Sequence, residues 1–186
     1  MYANYHYIRQ PSPFGAVGVV WKTEGKDPKI HRIFLPAPRL SVEALIQSSY
    51  PGIPLRSCRP IAPIAKRILR FLEGEDVSFA LASIALNHCP PFQQRVLLTE
   101  SKIPRGFVST YGRIAKHLGH PLGARAVGQA LANNPFPIII PCHRAIRSNG
   151  ELGGFQGGQE MKHALLAREG IEFSPSGKVV MTEVYY

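Results

Sequence analysis

Residues 109–135 read STYGRIAKHLGHPLGARAVGQALANNP. Ser109 or Thr110 can cap a helix running to about Leu118, with Tyr111, Ile114, Ala115 and Leu118 on one face. Gly119-His120-Pro121 makes a turn, and a second helix runs from about Gly123 to Leu131. Asn133-Asn134-Pro135 ends it, because Asn tolerates a left-handed cap and Pro blocks continuation. Two short helices joined by a tight turn are a helix-turn-helix. Many helical pairs that touch no nucleic acid share that pattern. Gly123-Ala124-Arg125-Ala126 is more telling, since small residues there let the backbone approach a groove, with Arg125 as the only long side chain. Close helix packing with a solvated arginine is the plainer reading of the same four residues.

Downstream, Pro137 leads into Ile138-Ile139-Ile140, a short buried strand by its β-branched run. Pro141-Cys142-His143-Arg144 follows at once. A cysteine ending an apolar strand is by default an inert core residue. Its neighbours argue otherwise: His143 can supply a base, and Arg144 and Arg147 add positive potential that favours a thiolate. If Cys142 and His143 are extended, their side chains point to opposite faces. Cooperation then needs a bridging water, or a turn imposed by Pro141. Gly150–Gly158 (GELGGFQGG) holds five glycines in nine residues, without the spacing of a nucleotide-binding fingerprint. It reads either as a flexible loop or as backbone that must lie close to a ligand. A last helix, about Gln159–Arg168, ends at Glu169-Gly170. A carboxylate there opposes the helix dipole and points to a cationic or imidazole partner.

Upstream, Pro90-Pro91 marks a domain boundary near residue 89, Phe92–Thr99 fits a helix, and Ile103-Pro104-Arg105-Gly106 breaks the chain. Phe14–Trp21 and Ile30–Leu35, joined by the polar Lys22–Lys29, read as a hairpin or two neighbouring strands. Residues 41–50 suit a short helix. A clearer one carries Ile61, Ile64, Ala65, Ile68, Leu69 and Leu72 at helical spacing and ends at Gly74. The expected organisation is an α/β domain over 1–89, a mainly α domain over 90–173, and a tail over 174–186.

The 186 residues carry a net charge of +10, with 45% apolar and 18% charged residues, as in ordinary folded soluble chains. Residues 100–149 hold seven basic side chains (Lys102, Arg105, Arg113, Lys116, Arg125, Arg144, Arg147) against one acid, Glu100. Such a stripe suits a polyanion, because neutralised phosphates release counterions. A solvated surface that keeps the protein in solution is the simpler alternative. Cys58, Cys89 and Cys142 cannot all pair and form no CxxC, which argues against a disulfide framework and against a zinc ribbon or finger. No apolar run reaches the roughly 18–20 residues of a membrane helix, and the start lacks a signal-peptide pattern. The expectation is an intracellular chain.

IPRGFVSTYGRIA, GARAVGQALANNP, IIIPCHR, GGFQGG and LLAREG, taken in order from Phe92 to about Phe173, resemble the methylated-DNA–protein-cysteine methyltransferases, the O6-alkylguanine repair family. Residues 1–90 match in length and rough organisation only. The resemblance implies a ribonuclease-H-like α/β N-terminal domain and a C-terminal domain with a winged-helix-like helix-turn-helix. It implies a monomer, cytoplasmic or nuclear, that needs no cofactor and no metal. Its partner would be double-stranded DNA containing O6-alkylguanine, and by extension O4-alkylthymine. Cys142 would accept the alkyl group, His143 would act through water as its base, Glu169 would orient the imidazole, and Asn134 would hold the turn. Tyr111 would help rotate the damaged nucleotide, with Arg125 filling its place and Gly123 and Ala124 against the minor groove. Phe155 and Gly157 would line the base pocket and Ser148 would contact the base or its backbone. Leu98 and Ala145 stand where the family commonly has a tryptophan and an aliphatic residue. Two other classes stay open at this point: a non-catalytic protein that binds alkylated bases to flag damage, and a Cys–His hydrolase.

Overall fold

Three strands, β1 (Tyr5–Gln10), β2 (Val17–Glu24) and β3 (Asp27–Phe34), form one antiparallel sheet in that order. The structure, a computed structural model, describes residues 2–25, 27–37, 40–181 and 184–186. Lys26, within the connection read between the two strands of the hairpin, lies outside the described residues. β1 is an addition to the sequence reading. Its residues are polar or half-buried and only Ile8 enters the core, so no apolar run announces it.

Helix α1 (Val42–Ser49) starts at Ser41, whose side chain accepts from Ala44 N–H at 3.1 Å. It lies so close to β2 that a Cβ on Gly18 would come within 2.6 Å of Ile46 Cδ1. Val20, Phe34, Val42, Ile46 and Ile53 form the resulting core. Helix α2 (Ala62–Leu72) buries Ala65, Ile68, Phe71 and Leu72 at the expected spacing.

The chain divides into two compact units. The first is Met1–His88 with Pro135–Ile139, and the second is Cys89–Asn134 with Ile140–Tyr186. This departs from an uninterrupted 90–173 domain in two respects: the second unit runs on to Tyr186, and the segment 135–139 belongs to the first unit, where Pro135 O accepts from Ile33 N–H at 2.8 Å. In place of the expected strand over Ile138–Ile140, Ile138 and Ile139 form a turn, with Ile138 at φ 76°, and Ile140 makes only a single bridge. Burial of all three isoleucines was read correctly. Their conformation was not, because Pro135, Pro137 and Pro141 remove the amide donors that a ladder requires.

The second unit contains α3 (Pro91–Glu100), α4 (Tyr111–His117), α5 (Ala124–Ala132) and α6 (Gly158–Arg168), with a two-stranded parallel pair, β4 (Ser109–Thr110) and β5 (Ala145–Ile146). Thr110, not Ser109, caps α4: its hydroxyl accepts from Arg113 N–H at 3.1 Å. The turn to α5 closes with His120 N–H donating to Ala115 O (2.9 Å) and Gly123 N–H to His120 O (2.7 Å). Gly119 adopts φ +80°, a conformation that favours glycine. The segment 174–186 is no loose tail. Tyr185 N–H donates to Val108 O, Ser109 Oγ to Tyr185 O, and Tyr186 OH to Thr99 O; residues 182 and 183 lie outside the described ones. Among the described residues no helix is long and apolar enough to cross a membrane.

Candidate active site

Cys142, His143 and Arg144 form a single 3-10 turn, entered from Pro141 at ψ 55° and bonded by Arg144 N–H to Pro141 O at 2.8 Å. The extended geometry that would have set Cys142 and His143 on opposite faces is therefore absent, and Pro141 supplies the bend. Cys142 Sγ accepts from Asn134 Nδ2 at 3.2 Å, and the same amide donates to Ile140 O at 3.2 Å. Asn134, only 3% exposed, thus ties the end of the helix pair to the cysteine turn.

His143 Nε2 lies 3.0 Å from Glu169 Oε1, and both side chains are buried. Arg144 reaches the same carboxylate twice, Nε to Oε2 at 2.9 Å and Nη2 to Oε1 at 2.7 Å, and Nη1 donates to Ile103 O at 2.6 Å. Glu169 has both the imidazole and the cationic partner that its unfavourable place at the end of α6 called for. Burial would raise its pKa, but the hydrogen bonds from His143 and Arg144 prevail and hold it at about 2. For His143 burial prevails over Glu169, lowering its pKa and keeping the ring neutral.

One expectation is reversed. The neighbouring basic groups were expected to lower the Cys142 pKa, yet burial pushes it up to about 11, against the hydrogen bond from Asn134. Arg144 is committed to Glu169, and exposed Arg147 to Glu151 at 2.7 Å. At rest the site holds a neutral thiol beside a neutral imidazole.

Tyr111 opens α4, and burial pushes its phenol up to about 12, so it stays a proton donor. Phe155 is half-buried with its ring 6.2 Å from that of His143. Gly157 precedes α6, where a Cβ would collide with Met161 Sδ at 2.2 Å. Gly123 caps α5, Ala124 is half-buried and Arg125 is exposed at the same helix start. Ser148 is exposed on the turn after β5.

Three residues of this unit were given no site role from the sequence. Gly153, at φ +71°, lies against Tyr111, and a Cβ there would stand 2.6 Å from the phenol oxygen. Glu100 and Lys162 are wholly buried. Their signal was available: each is a charged residue on the apolar phase of its helix, Glu100 with Val96 and Leu97, Lys162 with Leu165 and Leu166. Gly153→Ala is expected to displace the Tyr111 ring and, in addition, to strain the backbone by about 1–2 kcal/mol. The alkyl transfer that the resemblance implies should then slow about tenfold or more, with duplex affinity nearly unchanged; an unaltered rate would leave Tyr111 without the role the resemblance implies.

Residues 91–171 match the family model for the 6-O-methylguanine DNA methyltransferase DNA-binding domain. A methylated-DNA–protein-cysteine methyltransferase of Methanothermobacter thermautotrophicus is 37% identical over 159 residues, covering 86% of this chain and 82% of that one. The chain belongs to the methylated-DNA–protein-cysteine methyltransferase family. Similarity in three dimensions agrees. An O6-methylguanine methyltransferase of Mycobacterium tuberculosis superimposes with a TM-score of 0.72 at 32% identity, over 89% of this chain and 92% of that one. The M. tuberculosis OGT protein in complex with DNA gives 0.69 at 32% identity, over 88% and 92%. The matched stretch contains Tyr111 and Arg125 as well as Asn134, Cys142, His143, Arg144 and Glu169.

Proposed function

We propose that this protein repairs duplex DNA by moving the alkyl group of O6-alkylguanine, and of O4-alkylthymine, irreversibly onto Cys142. The observation that carries the reading is the buried thiol, held by Asn134 on the turn that His143 and Glu169 back, in a chain of this family. A lesion inside the base stack is out of reach, so the nucleotide is rotated into a pocket beside Phe155 and Gly157. Exposed Arg125 occupies the vacated place, with Gly123 and Ala124 admitting the minor groove and Ser148 touching the base or its backbone.

His143, neutral and braced by Glu169, takes the Cys142 proton through a water. The thiolate attacks the alkyl carbon, forming a C–S bond as the C–O bond breaks and its electron pair goes to the purine. Tyr111 gives the purine its proton and regains one from the His143 side. The balance is one S–H and one C–O bond lost against one C–S and one purine N–H gained. A thioether has no low-energy leaving group, so each molecule acts once, as a monomer and without cofactor or metal. Such a substrate places the protein in the cytoplasm, or in a nucleus. The antiparallel β1-β2-β3 sheet followed by helices supports a ribonuclease-H-like first domain, and the α4–α5 pair flanked by β4 and β5 supports a winged-helix-like second one.

Incubation with an O6-methylguanine duplex is expected to add one methyl mass to the intact protein, at one-to-one stoichiometry. Lesion binding with no mass change would instead favour a damage-flagging protein. Sustained turnover of an acyl substrate would favour a hydrolase. Arg125→Ala is expected to slow transfer from duplex roughly 10- to 100-fold, because the extruded base loses its replacement. Transfer from free O6-benzylguanine, which needs no extrusion, should stay nearly unchanged; equal losses on both would remove Arg125 from that role.

A further inference from the structure

Glu100 and Lys162 take no part in the steps above, yet both sit in the interior that holds Cys142. Glu100 closes α3, Lys162 lies in the second turn of α6, and both helices pack on the 142–144 turn. Both residues have 0% exposure. Neither carboxyl oxygen of Glu100 has a hydrogen-bond partner. Lys162 Nζ donates to two backbone carbonyls, Ala145 O at 2.6 Å and Gly154 O at 3.4 Å, and stands 6.0 Å from the Tyr111 ring centroid. A buried carboxyl without partners and a buried ammonium without a bonded counter-charge are both costly, and such groups cluster where they act. Glu169 cannot serve either, being bound to His143 and Arg144.

We propose that Glu100 is a positioning residue that sets the charge available to Cys142. As a neutral acid it leaves the Lys162 ammonium to the thiolate, and as a carboxylate it competes for that ammonium and holds the thiol protonated. The inference rests on Cys142 being the reacting thiol. The titratable and charged groups that interact electrostatically with Glu100 are Lys162 from α6, Arg144 and Cys142 from the turn, Tyr111 from α4, and Tyr186 from the 174–186 segment. Burial pushes the Glu100 carboxyl up to about 8 despite Lys162 and Arg144, and pushes the Lys162 ammonium down to about 8. Below that pH the pair carries one positive charge, which supports a thiolate. Above it Glu100 ionises and Lys162 begins to lose its proton, and both changes oppose one.

The test is the pH profile of Cys142 reactivity toward iodoacetamide, read by peptide mass between about pH 6 and 9.5, which does not depend on methyl transfer. The same profile for transfer from O6-benzylguanine is run in parallel. Native protein is expected to stop gaining rate above about pH 8. Glu100→Gln should match native at about pH 6.5 and exceed it about tenfold near pH 9, the equivalent of one unit in the thiol's apparent pKa. Lys162→Gln should react slowly throughout, and the gain from Glu100→Gln should vanish in the double variant. A native rate that climbs steadily past pH 9 overturns the proposal even if the variants fail to fold, and so does a Glu100→Gln to native ratio that does not change with pH. Normal iodoacetamide profiles without benzyl transfer would instead fault the repair reading alone.

Discussion

Cys142→Ser is expected to end methyl transfer while leaving the affinity for an O6-methylguanine duplex within about twofold, since base and phosphate contacts carry binding. The rate should fall by on the order of a thousandfold or more, as when a nucleophile is removed elsewhere. A serine hydroxyl is a much weaker acid and nucleophile than a thiol, and a neutral imidazole acting only through a water does not make up that difference. The fold should persist, because Oγ occupies less space than Sγ and can accept the same bond from Asn134 Nδ2. Binding should persist too, since the exposed helix start at Arg125 contributes no atom to the thiol's surroundings. Intact-mass analysis and a mobility-shift titration with the same duplex read the two outcomes separately. Cys58 and Cys89 are the controls: a methyl group recovered on either, or transfer surviving in Cys142→Ser, would sink the assignment. Cys89 is buried too, but desolvation alone acts on its thiol, whereas at Cys142 the hydrogen bond from Asn134 offsets part of that effect.

The helices were legible because their signals are local. A cap at Ser109 or Thr110, the apolar phase of Ile114 and Ala115, and Asn133-Asn134-Pro135 place both helices of the pair nearly to the residue. The neighbours singled out Cys142, although the charge expected of Arg144 and Arg147 is spent on Glu169 and Glu151, and the partners of Glu169 were legible from its discord with the helix dipole. What failed depends on partners distant in sequence. Ile138–Ile140 looks like a strand until three prolines leave it without a ladder. β1 carries little apolar signal, since its pairing with β2 from Tyr5 opposite Lys22 to Gln10 opposite Val17 uses backbone groups. The direction of the Cys142 shift was misjudged for the same reason. Charge can be counted along a chain, but desolvation follows from the packing of α3, α6 and the turn together. Glu100 and Lys162 lie between these cases, visible as exceptions to helical periodicity but not as neighbours of a thiol.

Glu169→Gln is expected to destabilise the protein by about 3–5 kcal/mol, a large part of the roughly 5–15 kcal/mol that holds a domain folded. Glutamine keeps the shape and one acceptor oxygen, so the loss is one of charge. Arg144, with its side chain 9% exposed, would keep its bond to Ile103 O but lose the carboxylate it pairs with. An unpaired buried guanidinium cannot shed its proton, as a lysine could, and the cost stays in the fold. The pH dependence follows with a definite sign. The Glu169 carboxyl is held at about 2, below its ordinary 4.5, so its contribution is present above about 4.5 and is lost as pH falls toward 2. Urea melts of the native protein should weaken across that window, and Glu169→Gln should be weak already at neutral pH with a flatter acid limb. Arg144→Met combined with Glu169→Gln should recover much of the loss, because it removes the stranded cation and puts an apolar chain of similar length in its place. A single variant as stable as native would mean that water or a backbone group already compensates Arg144. A double variant no better than the single would mean that the bond from Arg144 to Ile103 O, not the ion pair, holds the cysteine turn.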